Sequence, residues 1–193
     1  MLIVFFQAVF FIFPFVLTGA IHIIVIKKDL LSRLAHVPLD FQLTIRGRRL
    51  FGKNKTVRGV VVVIGGVMIG VLLQAALIRI YPAGGLLSLV DYHSISPLTW
   101  GFVLGAGCVI GELPNSFLKR QMDIAPGAYP LRPFLKATTW MLDQLDSVIG
   151  ILLFASAIVS IPLVTILLVV AVSLVIHPMG AFVMVCLGLK THT

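Results

Sequence analysis

The sequence predicts an all-α integral membrane protein of about five transmembrane helices, with basic loops on one side and a polar pocket at that interface. Three observations predict it. Hydrophobic residues make up 59% of the 193-residue chain and mean hydropathy is +1.10, more apolar side chain than a soluble domain of this size can hide. Five stretches reach the roughly 20 apolar residues that a bilayer core takes. Fourteen of the fifteen Lys and Arg residues fall in segments that five spans place on one side, Arg79 alone lying elsewhere.

The first run, residues 2–26, is closed by Lys27 and Lys28. It follows no basic n-region and carries no small-residue cleavage site, so it is expected to stay as a helix. Within the next loop, Asp29 to Val37 reads as a short amphipathic surface helix stopped by Pro38. Phe41 to Ile45 alternates and reads as extended. The second run spans residues 59–80 and the third 98–118. A long apolar tract then supplies the fourth and fifth, 139–160 and 162–189, because Pro162 cannot continue a helix ladder. All five belong to a single transmembrane domain, residues 1–193.

The net charge of +8 hugs the ends of these runs, which the positive-inside rule accounts for without a nucleic-acid partner. Nine cations lie between Lys27 and Arg58, four between Lys119 and Lys136, and Lys190 lies in the tail. The rule therefore places the N-terminus outside, and both basic loops and the C-terminus in the cytoplasm, of a multi-pass protein in the cell (inner) membrane. Cys108 and Cys186 fall inside apolar runs with no disulfide or metal-type spacing, and read as small packed hydrophobes. His22 and His177 read as packing residues.

Three constellations can carry chemistry. In the first, six Lys and Arg residues between Arg46 and Arg58 alternate with Gly47 and Gly52 and run into Gly59. Glycines admit an anion close to backbone N–H groups and the cations neutralise it. The plain alternative is anchorage to anionic headgroups. Gly47, Gly52 and Lys53 nearly match a P-loop, but Asn54 stands where Ser or Thr would ligate magnesium, and no strand–loop–helix unit surrounds them.

The second constellation is Glu112 with Asn115, Ser116, Lys119 and Arg120. Helical spacing puts the first four on one face. A carboxylate inside an apolar run is costly and marks function by default. In the third, Asp143 and Asp146 are neighbours at i and i+3. Two such acids repel unless they share a proton or a cation, and Mg²⁺ is commonly held by one or two carboxylates plus substrate phosphates. The plain alternatives are helix-packing pairs and the helix macrodipole.

Together, Gly52 to Gly59, Gly111 to Arg120 and Asp143 to Asp146 resemble the CDP-archaeol synthase family, relatives of the phosphatidate cytidylyltransferases. Their order and spacing match over most of the chain. The resemblance departs at Glu112, where the family pattern has Asp, and at Pro114-Asn115. It implies an Mg²⁺-dependent nucleotidyltransferase that converts a membrane lipid phosphate and CTP to a CDP-lipid and pyrophosphate. The lipid is open between an archaeol-type ether and an ordinary diacyl phosphatidate. Lys53, Lys55, Thr56, Arg58, Asn115, Ser116, Lys119 and Arg120 are then expected to bind the nucleotide. Asp143, Asp146 and Glu112 are expected to be catalytic and to hold the metal. The rivals are an ion- or proton-coupled transporter using Glu112 and His177, which calls for charges in both halves of the bilayer, and a non-catalytic adaptor gripping anionic lipid, which has no use for paired acids.

Overall fold

The computed structural model describes residues 1–189; Lys190, expected in the cytoplasmic tail, lies outside them. The chain folds into five long helices, α1 (Leu2–Lys27), α3 (Val57–Ile80), α4 (Pro97–Gln121), α5 (Pro133–Ser156) and α6 (Leu163–Cys186), with a single-turn helix α2 (Ser32–Ala35) between the first two. A two-stranded hairpin, β1 (Thr44–Ile45) and β2 (Arg48–Arg49), projects from the first loop. Helix starts follow local chemistry. Pro97 and Pro133 sit in the first turns of α4 and α5, where a missing N–H costs nothing. At α3 the Thr56 hydroxyl accepts from the Gly59 N–H at 3.3 Å, an N-cap. Pro162 caps α6 after a break at 157–162.

Four of these helices, α1, α3, α4 and α6, are long and apolar enough to cross a membrane. The fifth, α5, matches them in length, but carries Lys136, Asp143 and Asp146. In space α4 lies between α3 and α5, and α1 packs on α3 and α6. The shared core gathers Phe11, Val67, Val71, Trp100, Leu104, Val148, Ile151 and Val169. Outward-facing surfaces stay apolar: Leu73, Phe102, Leu153 and Leu167 are each at least half exposed, as side chains bathed in lipid must be.

The tightest crossing is between α4 and α5. A Cβ added at Gly111 would lie 2.5 Å from the Asp146 carbonyl oxygen, and Gly150 is pressed against Gly107 and Gly111. Only glycine lets two helix backbones approach so closely. The crossing sets Glu112 beside the turn of α5 that bears Asp143 and Asp146.

The first loop differs from the sequence expectation in two places. The surface helix shrinks to one turn because Asp29 and Leu31 adopt left-handed conformations, φ 47° and 55°. Asp29 instead accepts from the Arg58 guanidinium at 3.1 Å. Phe41 and Gln42 are not extended but turn, with φ 45° and 65°. The Asp40 carboxylate captures the Gln42 N–H at 3.0 Å, fixing that turn. Extended structure begins only at Thr44, and Arg46 and Gly47, both at positive φ, close the hairpin.

Candidate active site

Carboxylates and cations from three segments meet where the first loop joins α4 and α5. Asn115, buried on α4, donates from Nδ2 to Asp143 Oδ1 and to Asp146 Oδ2, at 2.7 Å each. One amide thus holds both acids of the i, i+3 pair. Lys119, one helical turn further on, grips both oxygens of Asp143, at 2.5 Å to Oδ2. Lys55, from the loop before α3, pairs with Glu112. Burial opposes the charge on Lys55, but the fields of Glu112 and Asp146 outweigh it and raise its pKa above the ordinary lysine value. Lys55 therefore stays protonated, paired with Glu112 and in the field of Asp146.

Tyr129, in the α4–α5 loop, completes this wall. Its ring lies 5.6 Å from Lys119 Nζ, a cation–π contact. Burial, together with the charge of Asp143 and a hydrogen bond to it, pushes the Tyr129 pKa up. The phenol remains protonated beside Asp143.

The other expected residues take distinct places. Thr56 caps α3, and Arg58 pairs with Asp29 rather than facing the acids. Ser116 is half-buried beside Asn115 on α4 and makes no side-chain hydrogen bond among the described residues. Lys53 and Arg120 line a neighbouring cavity of about 360 Å³. Glu112 is engaged by Lys55 and Asp143 by Lys119. Among the described residues, no group of three or more His, Cys, Asp or Glu side chains is arranged to hold a metal ion. The carboxylates brought together by a common partner are Asp143 and Asp146.

Some participants carried no sequence signal. Asp40, 1% exposed, accepts from Arg49 and from the Phe51 and Gly52 N–H groups at 3.2 and 3.1 Å. Burial works against its charge, but Arg49 and the backbone donors prevail and hold its pKa below the usual carboxylate value. An aspartate among loop charges looks like any solvated acid in a sequence. Its place after a proline-containing turn, before a glycine-punctuated basic run, was the one available hint. His177, read as a packing residue, meets Gln144 Oε1 at 3.2 Å across the α5–α6 contact.

Comparison with known proteins agrees with this architecture. The family model described as CarS-like, CDP-archaeol synthase, matches residues 1–193. CDP-archaeol synthase of Pyrococcus furiosus is 37% identical over 141 residues, 72% of this chain and 73% of that protein. The Methanocaldococcus jannaschii protein of the same name is 30% identical, covering 76% of each chain. That of Pyrobaculum aerophilum is 34% identical, covering 79% of each. A solved structure, described as an intramembrane enzyme for archaeal membrane lipids biosynthesis, superposes with a TM-score of 0.59 at 20% identity, over 91% of this chain and 92% of the other; it shares the fold. The family model spans the whole chain, all three segments that build the site included, so this chain belongs to the CDP-archaeol synthase family.

Proposed function

We propose that the chain transfers the cytidylyl group of CTP to a membrane lipid phosphate at the junction of the first loop with α4 and α5, with Asp143 and Asp146 holding Mg²⁺. The activity class follows from the family: the chain is a membrane-embedded, CTP-dependent cytidylyltransferase acting on a lipid phosphate. The residues, the metal and the orientation in the membrane are our reading. One observation carries it, the shared hydrogen bonding of Asp143 and Asp146 to Asn115.

The donor set fits magnesium. Two carboxylate oxygens converge on a single nitrogen, so they lie close enough for one small cation, and Mg²⁺ takes one or two carboxylates with phosphate oxygens filling the rest. When bound, the ion neutralises phosphate charge and orients the triphosphate. Glu112, beside the pair, holds Lys55 and so keeps a cation at the site.

The reaction brings two anions together. An oxygen of the lipid phosphate attacks the α-phosphorus of CTP, and pyrophosphate departs on the opposite side. Little covalent help is needed, so the chain acts by positioning and by neutralising charge. Lys55 and Lys119 supply that charge next to the acids. Asn115 keeps the two acids that would hold the ion aligned with one another. Tyr129 packs against Lys119 from the loop side. Both substrates reach this end of the bundle without crossing the bilayer, in line with a cytoplasmic site, an outside N-terminus and an archaeol-type phosphate as acceptor.

The test is pyrophosphate release by purified protein given CTP and a panel of ether and ester lipid phosphates, with and without magnesium. Release that needs CTP, lipid phosphate and a divalent ion together is the expected result. Release unaffected by a chelator removes the metal role.

A further inference from the structure

Arg79, the one cation that the charge pattern does not place with the others, lines a larger cavity, of about 580 Å³, with Ile78, Ser88, Asp91, Tyr92 and His93. This cavity is far from the acids. Helix α3 starts two residues after Lys55, and its 24 residues, at about 1.5 Å each, end roughly 35 Å away. That matches a bilayer core of about 30 Å, so the cavity opens at the opposite membrane interface. Tyr81, just past the end of α3 and 65% exposed, suits that level, where aromatic side chains gather. Arg79 is exposed and takes part in no hydrogen bond or ion pair among the described residues.

The walls are tied down from several sides. Pro14 leaves the Phe10 carbonyl without its helical donor, and buried Gln74 supplies one from Nε2. Oε1 of the same amide accepts from the Tyr92 hydroxyl at 3.5 Å, which links the cavity loop to α3 and through it to α1. Gln7 adds a second link, donating to the Leu86 carbonyl at 2.9 Å. Asp91 closes the loop: Oδ1 accepts from the His93 N–H and Oδ2 from the Ser94 hydroxyl, each at 2.9 Å. These two donors hold Asp91 below the usual carboxylate pKa, so it is ionised at neutral pH. Each oxygen keeps a lone pair for a further donor. A full cation and a full anion therefore line one cavity, and among the described residues they form no ion pair with each other.

We propose that this cavity binds the headgroup of a phospholipid from the leaflet opposite the active site, one that carries both a phosphate and an amine, with the phosphate on Arg79 and the ammonium on Asp91. A guanidinium presents paired N–H donors that match phosphate oxygens. The ammonium donates to the free lone pairs of Asp91. The two opposite charges cancel, as they do in such a headgroup. An anionic headgroup without an amine would satisfy Arg79 alone and leave Asp91 facing a phosphate. Ala75, Ile78 and Leu89 make one side of the cavity apolar, a surface for the first carbons of a lipid chain. Leu77, Ile80 and Leu86 flank it, exposed, and mark the side open to lipid. This lipid is retained rather than turned over, because the acids lie a membrane's thickness away.

The experiment titrates the full chain in detergent with dioleoylphosphatidylethanolamine, dioleoylphosphatidylglycerol or soluble phosphoethanolamine. Bound ligand is read by native mass spectrometry and by the shift in melting temperature. The variants are Arg79→Gln and Asp91→Asn. Arg79 holds no other side chain, and the amide in Asp91→Asn still accepts from the His93 N–H, so the loop survives both. Each variant should bind phosphatidylethanolamine about tenfold more weakly than wild type, or worse, the scale of one charged hydrogen bond. Phosphatidylglycerol should be weakened likewise by Arg79→Gln but moved less than about twofold by Asp91→Asn, within the spread of a surface change. Soluble phosphoethanolamine should bind at least about tenfold more weakly than the lipid, since it buries no chain. Equal phosphatidylethanolamine affinity in wild type and both variants overturns the site. Equal loss of both lipids in Asp91→Asn overturns the amine assignment. Soluble phosphoethanolamine binding as tightly as the lipid overturns the lipid as its occupant. Formation of CDP-lipid enters none of these readings, so the two proposals stand or fall separately.

Discussion

Lys55 and Glu112, 57 residues apart in sequence, form an ion pair that ties the first basic loop to the middle of the active-site wall. Both side chains are about 30% exposed, so the pair is neither a surface decoration nor a sealed core interaction. Its value should show as coupling. Lys55→Met and Glu112→Gln are each expected to raise the apparent KM for CTP, and the double variant to lose less than the sum. A coupling of about 1 kcal/mol is the scale for such pairs. Strict additivity in the double-mutant cycle would mean that the two residues act separately.

The acid pair gives the sharpest expectation. Asp143→Asn and Asp146→Asn should each lower CDP-lipid formation by at least about a hundredfold, the scale of removing one preorganised charge from a transition state. Both proteins should elute from size exclusion as the wild type does. Turnover within a factor of a few of wild type in both would remove these carboxylates from the chemistry.

Asn115 separates alignment from charge. Asn115→Ala keeps every ionisable group but frees two neighbouring carboxylates to repel one another. The rate should fall, and added magnesium should restore part of it by taking over the bridging. Titrating magnesium against initial rate checks this. A rate loss indifferent to magnesium would show that Asn115 serves packing alone.

Gly111→Ala and Gly150→Ala probe the crossing of α4 and α5. Each added methyl group meets backbone rather than a yielding side chain, and overpacking of this kind costs about 1–3 kcal/mol. A lowered melting temperature in detergent is expected for both, with a further loss of activity at Gly111, whose neighbour is the Asp146 carbonyl. Wild-type melting would mean that the helices part without penalty.

Asp40 sets an acid limit on stability. Its pKa is lower in the folded protein than in the unfolded chain, so its contribution is complete above the ordinary carboxylate pKa of about 3.9. It is lost as pH falls through the depressed folded value. Between neutral pH and about 4 the residue should contribute evenly. Below that, wild type should lose stability faster than Asp40→Asn. Parallel melting curves for the two across this range would show that Asp40 is not the group responsible.

Much of the site was legible because the membrane makes carboxylates conspicuous. Glu112, Asp143 and Asp146 interrupt apolar runs, and helical spacing alone puts Asn115 and Lys119 on the face of Glu112. The long helices were legible for the same reason, their ends differing from expectation by a few residues, chiefly at α5, which begins at Pro133 rather than inside the apolar tract. What stayed hidden needed the third dimension. Asp40 and Arg49 sit in a polar loop where any pairing is conceivable, and burial alone distinguishes them. Tyr129 reaches Asp143 from a loop whose path is not periodic. Gln144 and His177 each look isolated along the chain and meet only because α5 and α6 pack together.

Because the backbones of α4 and α5 touch with nothing between them at Gly107, Gly111 and Gly150, the two helices can neither roll nor slide without steric collision. Whatever moves during turnover must therefore be sought in the loops that carry Lys53, Lys55 and Tyr129, while the stem bearing the acids behaves as a fixed anvil.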